Sequence, residues 1–188
     1  MTPSLHRHRQ RTLALQLLQR RLRSTPVQHL TGLPINEVRA LHRAVHGVSA
    51  ASGPLHHAAS LMVNRRVQAQ LSVYALLYRR LADANALQTI DTDALIRSYD
   101  LFVELGGQRP ETSAGREFHF TAAYVLVRDL CAGAVHLLPC GSCGISYLVA
   151  AEAPVPPTCP FCPRRAPRPR ARGLDTSHYR PQERGENS

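Results

Sequence analysis

Leucines recur at helical spacing near the start of the chain. In TLALQLLQRRLR, residues 12–23, Leu13, Leu17 and Leu18 fall on one face, and Arg20, Arg21 and Arg23 crowd the end. Cations suit the carbonyl-rich terminus of a helix, so the pattern predicts a helix over 12–23. The next stretch, STPVQHLTGLPINEVRALHRAVHG, predicts two more helices. Thr25 caps one that begins at Pro26, and Gly32 ends it in the left-handed conformation. Pro34 opens the second and Gly47 closes it. Beyond a small-residue linker at 47–54, Leu61, Val67, Leu71, Tyr74, Leu77, Tyr78 and Leu81 recur at helical spacing. They predict one long helix over 55–84, with Arg65, Arg66, Arg79 and Arg80 set off its apolar stripe. Asp91 or Thr92 caps a further helix that stops at Gly106–Gly107, and residues 118–131 read as a buried helix ended by Gly133.

After Gly133 the period changes. AVHLL and SYLVA are short β-like runs on either side of a Cys pair. From Pro163 onward the chain is mostly Arg, Pro, Gly and polar residues, too poor in apolar side chains to fold alone. The expected fold is therefore mainly α. Residues 1–133 form a helical body, 134–163 a small zinc-ribbon-like β region, and 164–188 a disordered basic tail.

Four of the five cysteines are paired as Cys140-x2-Cys143 and Cys159-x2-Cys162, fifteen residues apart. This spacing belongs to the zinc-site class and fits a reducing compartment better than a disulfide framework does. Two thiols three positions apart can turn inward from one tight knuckle, helped by Gly141 and Gly144. Four thiolates in a tetrahedron form a closed cage for one structural Zn²⁺, with no position left for a substrate water. A redox dithiol and an iron–sulfur cluster are the rival readings. Cys131 lies on an apolar helix and reads as a core thiol. His136, in a strand-like run, is a substitute ligand that the cage does not require.

Charge changes the picture of partners. All 23 basic residues are Arg, against 13 acidic ones, for a net charge of +10. The arginine fork matches phosphate oxygens, so the excess points to nucleic acid. A GC-rich genome explains the absence of Lys but not the net excess. The phasing of Val27, Gly32, Leu33, Val38 and Leu41 fits a helix-turn-helix at 25–47, with Asn36, Arg39 and Arg43 outside the apolar face and able to meet DNA. Gln28 stands where tight helix packing favours a small residue, so a plain helical hairpin fits equally well. In PRRAPRPRARG, interleaved Pro keeps Arg164, Arg165, Arg168, Arg170 and Arg172 on an extended chain suited to a phosphate backbone or a minor groove. The alternative for this tail is a solvated, solubilising segment. No run is long enough for a membrane span and no secretory leader is evident, so a cytoplasmic protein without a membrane partner is expected. The Arg-rich, acid-poor start is also compatible with a transit peptide, though it already carries a helix pattern. Neither a nucleophile–base pair nor a phosphate loop marks an enzyme.

The stretches DALIRSYDLFVEL, TAAYVLVRDLCAGAVHLLPCGSCGISYLV and TCPFCPRRAPRPRAR resemble, in order and spacing, the FlhC family of bacterial flagellar master transcriptional activators. Family members carry a T-x-A-x-x-L-V-R helix, a Gly, an apolar strand and the first Cys pair followed by an aromatic, here Tyr147. The resemblance implies a mostly helical body with a zinc-binding region. It also implies work with FlhD in a heterohexamer that binds promoter DNA and activates flagellar operons through RNA polymerase. Cys140, Cys143, Cys159 and Cys162 would then carry the family's zinc-ligand role. The chain departs from the family in having no Trp, and in reading GPLHHAASLMV where members carry an aromatic, Trp-containing segment. That departure leaves room for a diverged paralogue with other target operons. The same charge and cage would also serve a zinc-ribbon RNA- or ribosome-associated protein.

Overall fold

The computed structural model describes residues 3–50, 53–83, 89–105 and 118–163. Among them seven α-helices precede one two-stranded hairpin, so the protein is mainly α with a small β region, as its sequence predicts.

Helix α1 (Pro3–Gln19) starts nine residues earlier than the leucine pattern suggests and stops before the terminal arginines. It ends in a double turn. The Arg21 N–H donates to the Leu18 carbonyl at 2.7 Å and the Leu22 N–H to the Leu17 carbonyl at 3.1 Å. Leu22 folds back into the core beside Leu17, both fully buried. This is a Schellman closure, which normally places glycine at the left-handed position. Here that position is Arg21, with φ 61°. An L side chain there costs about 1 kcal/mol, so Arg21→Gly should raise stability by up to that amount. A thermal melt should show an upward shift of a few degrees, and an unchanged or lower midpoint would contradict the strain. Arg20, displaced from the helix, forms a two-point ion pair with Asp100, at 3.1 and 2.7 Å.

Helix α2 (Ser24–Thr31) begins two residues before the expected Pro26, and Thr25 does not cap it. The cap is Arg23, whose carbonyl accepts from the Val27 N–H. Pro26 sits in the first turn, where its missing N–H has no intrahelical partner to lose. Gly32 (φ 70°) ends α2 and Gly47 (φ 72°) ends α3 (Ile35–His46), as the sequence predicts, while Pro34, expected to open α3, stands one residue before it as its cap. Thr31 fastens the turn. Its hydroxyl donates to the Val27 carbonyl at 2.7 Å and accepts from the Leu33 N–H at 3.3 Å. Helices α1, α2 and α3 pack on one another.

Two arginines of α1 reach α3. Arg11 Nε donates to Glu37 Oε1 at 2.5 Å and Arg7 Nη2 to Oε2 at 2.7 Å. The Arg11 hydrogen bond, helped by the charges of both arginines, holds the Glu37 carboxyl below its ordinary 4.5. A depressed folded value means this tie is fully present above the ordinary carboxylate range and is lost as pH falls through the lowered value. In a carbon NMR titration, Arg11→Ala should move the Glu37 midpoint upward. An unmoved midpoint would assign the shift elsewhere.

The predicted single helix over 55–84 is two. Helix α4 (Ala58–Leu61) breaks at Met62, and α5 (Arg65–Leu81) starts afresh behind Asn64. The Asn64 side chain accepts from the Val67 N–H at 2.9 Å, which is a strong N-cap and the reason for the break. The Ala58 N–H, at the start of α4, donates to the buried Asp129 carboxylate at 2.6 Å. Asp91, of the two predicted candidates, caps α6 (Thr92–Glu104), accepting from the Ala94 N–H at 3.0 Å. The predicted stop at Gly106–Gly107 lies outside the described residues. Helix α7 (Phe120–Cys131) starts two residues later than expected, with His119 as its cap. Edge-to-face contacts of Tyr74 with Phe102 and Phe118, and of Tyr99 with Phe120, join α5, α6 and α7.

Gly133 (φ 70°) turns the chain into the hairpin β1 (His136–Pro139) and β2 (Ser146–Val149), which pair antiparallel with Leu137 opposite Leu148. Val135, Leu148 and Ala150 are buried in the same core as the helices. The hairpin therefore rests on the body.

Candidate metal centre

The site is built from two knuckles. The first caps the hairpin. The Cys140 N–H donates to the Ile145 carbonyl at 3.1 Å and the Gly144 N–H to the Cys140 carbonyl at 2.8 Å. Gly144 (φ 73°) makes the required left-handed turn, whereas Gly141 does not enter that region. The Ser142 N–H points at Cys140 Sγ from 3.4 Å. The second knuckle, Cys159 to Cys162, has no regular structure of its own. Arg65, at the start of α5, holds it by donating to the Cys159 carbonyl at 3.0 Å, the Pro160 carbonyl at 3.1 Å and the Cys162 carbonyl. The Tyr147 hydroxyl donates to the Pro157 carbonyl at 3.2 Å and steadies the approach to that knuckle.

Helix α5 also fixes the hairpin. Gln68 Nε2 donates to the Leu148 carbonyl, and the Leu148 N–H donates to Ser72 Oγ, both at 2.9 Å. Ser72 in turn donates to the Gln68 carbonyl at 2.6 Å. Both side chains are buried, and their hydrogen bonds satisfy the outer backbone edge of β2 at that residue. One helix thus grips both halves of the site, through Arg65 on one side and through Gln68 and Ser72 on the other.

The result is a compact thiol group. Cys140 Sγ lies 3.6 Å from Cys162 Sγ, and Cys143 Sγ lies 3.7 Å from Cys159 Sγ. All four sulfurs are within 4.8 Å of one another. A disulfide would need about 2.05 Å, and the cysteines are free thiols. A tetrahedral ion with metal–sulfur bonds of about 2.3 Å spaces its ligands by about 3.8 Å. The four thiols fit that geometry, so the group can bind a metal ion. Backbone N–H groups, first that of Cys143 and then that of Ser142, pull the Cys140 thiol down to about 6. Cys162 is pushed up to about 12, because as a proton donor to Cys143 and Cys140 it is favoured in its protonated form. Cys140 is therefore the first of the two to offer a thiolate, the form that ligates metals.

His136 stands at the far end of β1, opposite Val149, and is not among the clustered ligands. Cys131 is packed against the helical core, where burial raises its thiol pKa and Tyr78 is its hydrogen-bond partner. At the turn between α2 and α3, Val27, Leu33 and Val38 are buried and Leu41 half-buried, while Asn36, Arg39 and Arg43 are exposed on α3. Gln28 is half-buried within the packing. Arg164, Arg165, Arg168, Arg170 and Arg172 lie outside the described residues. The residues that sequence reasoning missed are Arg65, Gln68 and Ser72. Their only signal was polarity at the edge of a leucine stripe, at positions 65, 68 and 72, which a helix places on one side.

Among the described residues no helix is long and apolar enough to cross a membrane. The fold and the site define a helical protein with a four-cysteine metal-binding module docked on its core. The family model described as flagellar transcriptional activator (FlhC) matches residues 4–173, and the chain belongs to that family. It is a family of transcriptional regulators and not of enzymes. A search of curated proteins found no match to the chain.

Proposed function

We propose that the chain is a DNA-binding transcriptional activator that works in a hetero-oligomer with an FlhD-like partner at flagellar operon promoters. The observation that carries this reading is four thiols within 4.8 Å of one another in a chain that belongs to the FlhC family. One zinc ion is the proposed occupant. Zinc suits four thiolates, is redox-silent, and here would serve as scaffold. Cys140, Cys143, Cys159 and Cys162 would hold it and so fix the point from which Arg164 and the arginines after it leave the folded chain. Those arginines, with Asn36, Arg39 and Arg43 on α3, are the proposed DNA contacts. The proposed organisation is a helical body to residue 133, a zinc region to 163 and a basic tail beyond, acting in the cytoplasm and reaching RNA polymerase through the assembled complex.

Co-expression with an FlhD-like protein tests this reading. The two chains should copurify, carry one equivalent of zinc in this subunit, and bind a promoter fragment with an affinity that falls steeply with salt. Independent elution of the two chains, or a flat salt response, would overturn it. The basic tail equally suits RNA, so competition decides between them. Promoter duplex should displace structured RNA, and the reverse order would favour a ribosome- or RNA-associated role.

A further inference from the structure

A cleft of about 690 Å³ opens between the start of α2, the exposed side of α3 and the end of α7. Arg23, Arg39, Arg43 and Arg128 line it, and no acidic side chain does among the described residues. Arg39 and Arg43 lie one turn apart on α3 and have no hydrogen-bond or ion-pair partner among the described residues. Arg23 spends one guanidinium nitrogen on the carbonyls of Gly53 and Pro54. Arg128 spends two, on Asp129 and the His56 carbonyl. Each therefore keeps donors for a ligand, since a guanidinium carries five N–H groups.

Three further features have the same sign. The cleft contains the first turn of α2, where the Ser24 and Thr25 N–H groups precede the first intrahelical bond. Ser24 is 6 % exposed and its hydroxyl has no partner among the described residues, which is unusual for a buried polar atom. Ser24 is among the residues that line the cleft. The volume is that of a small-ligand pocket and larger than one ion needs.

We propose that this cleft is a phosphate-binding site, in which Arg39 and Arg43 clamp the phosphate oxygens, the α2 terminus and Ser24 donate to them, Arg23 supplies further charge, and Arg128, already paired with Asp129, offers its remaining donors. The phosphate is that of a free phosphorylated molecule or of a nucleic-acid backbone. The site shares Arg39 and Arg43 with the proposed DNA contacts and so rests in part on that reading, but a free phosphate ester tests it without DNA, so the two can fail separately.

The test is calorimetric titration of the purified full chain with inorganic phosphate, a nucleoside 5′-monophosphate and a short DNA duplex without terminal phosphates. Arg39→Gln, Arg43→Gln and Ser24→Ala are compared with the unaltered chain. One saturable equivalent of phosphate or nucleotide is expected, weakened about tenfold or more by either arginine change and less by Ser24→Ala. Melting temperatures should hold or rise, because the arginines repel one another and the serine hydroxyl is unpaired. Binding of the duplex alone, weakened by the same changes, would identify the backbone as the source. If these variants bind all three probes as the unaltered chain does, or if no probe binds, the proposal is wrong.

Discussion

Cys159→Ser should leave the protein without stoichiometric metal and without an ordered 140–162 segment, while the helices remain folded. The hairpin contributes four residue pairs, and an isolated two-stranded hairpin is marginal in water. The second knuckle has no secondary structure at all. A structural zinc supplies about 10–16 kcal/mol in small finger peptides, far more than this segment's own contacts provide. Serine keeps the shape of the ligand but not the thiolate, leaving three sulfurs and an open position. Elemental analysis after dialysis should fall from the proposed one zinc per chain to a small fraction. Amide exchange should speed up across 140–162 and change little in α2 and α3. Promoter binding should fall with it if the cage aims the tail. A variant that retains zinc and slow exchange would show that three ligands suffice.

Arg65→Ala is the second large effect. It removes the donors that hold the Cys159, Pro160 and Cys162 carbonyls. Hydrogen bonds from a charged donor contribute about 1.5–3 kcal/mol each, and three from one guanidinium are not additive, so opening should become easier by about 2–4 kcal/mol. The kinetic consequence is faster metal release, by about thirtyfold or more, read with a chromophoric chelator. Arg65→Lys keeps the charge but not the fork, and should fall between the two. Release from the Arg65→Ala chain at the unaltered rate would mean that the thiols alone hold the knuckle.

The contrast between these two variants bears on what a sequence discloses. Cysteine spacing is local, and a cage of this kind needs little else, so Cys140, Cys143, Cys159 and Cys162 were legible as one group. Gly32, Gly47 and Gly133 were legible for a similar reason, because left-handed helix ends favour glycine. Arg21 was not, since it occupies the same conformation without that residue type, and α1 was drawn too far as a result. The break between α4 and α5 was obscured because Leu61 and Met62 lead closely into the Val67, Leu71, Tyr74 series, although Asn64 carried a capping signal. Arg65, Gln68 and Ser72 were hidden for a different reason. Their partners lie 76 to 97 residues away along the chain, and polarity at the edge of a stripe is equally what a solvated helix shows. Asp129 is the same case, a carboxylate on α7 that caps α4.

The clasp of Gln68 and Ser72 on Leu148 couples two equilibria. Because β2 is bonded to α5 and shares its core, an ion that binds only the closed knuckles also favours the folded helices. Free metal concentration then acts on the whole molecule, each tenfold increase above the dissociation constant adding about 1.4 kcal/mol to the folded state. Chelation would lower the melting temperature of the helices that share this core without unfolding them at ordinary temperature, so that metal supply would set the margin by which the body stays folded.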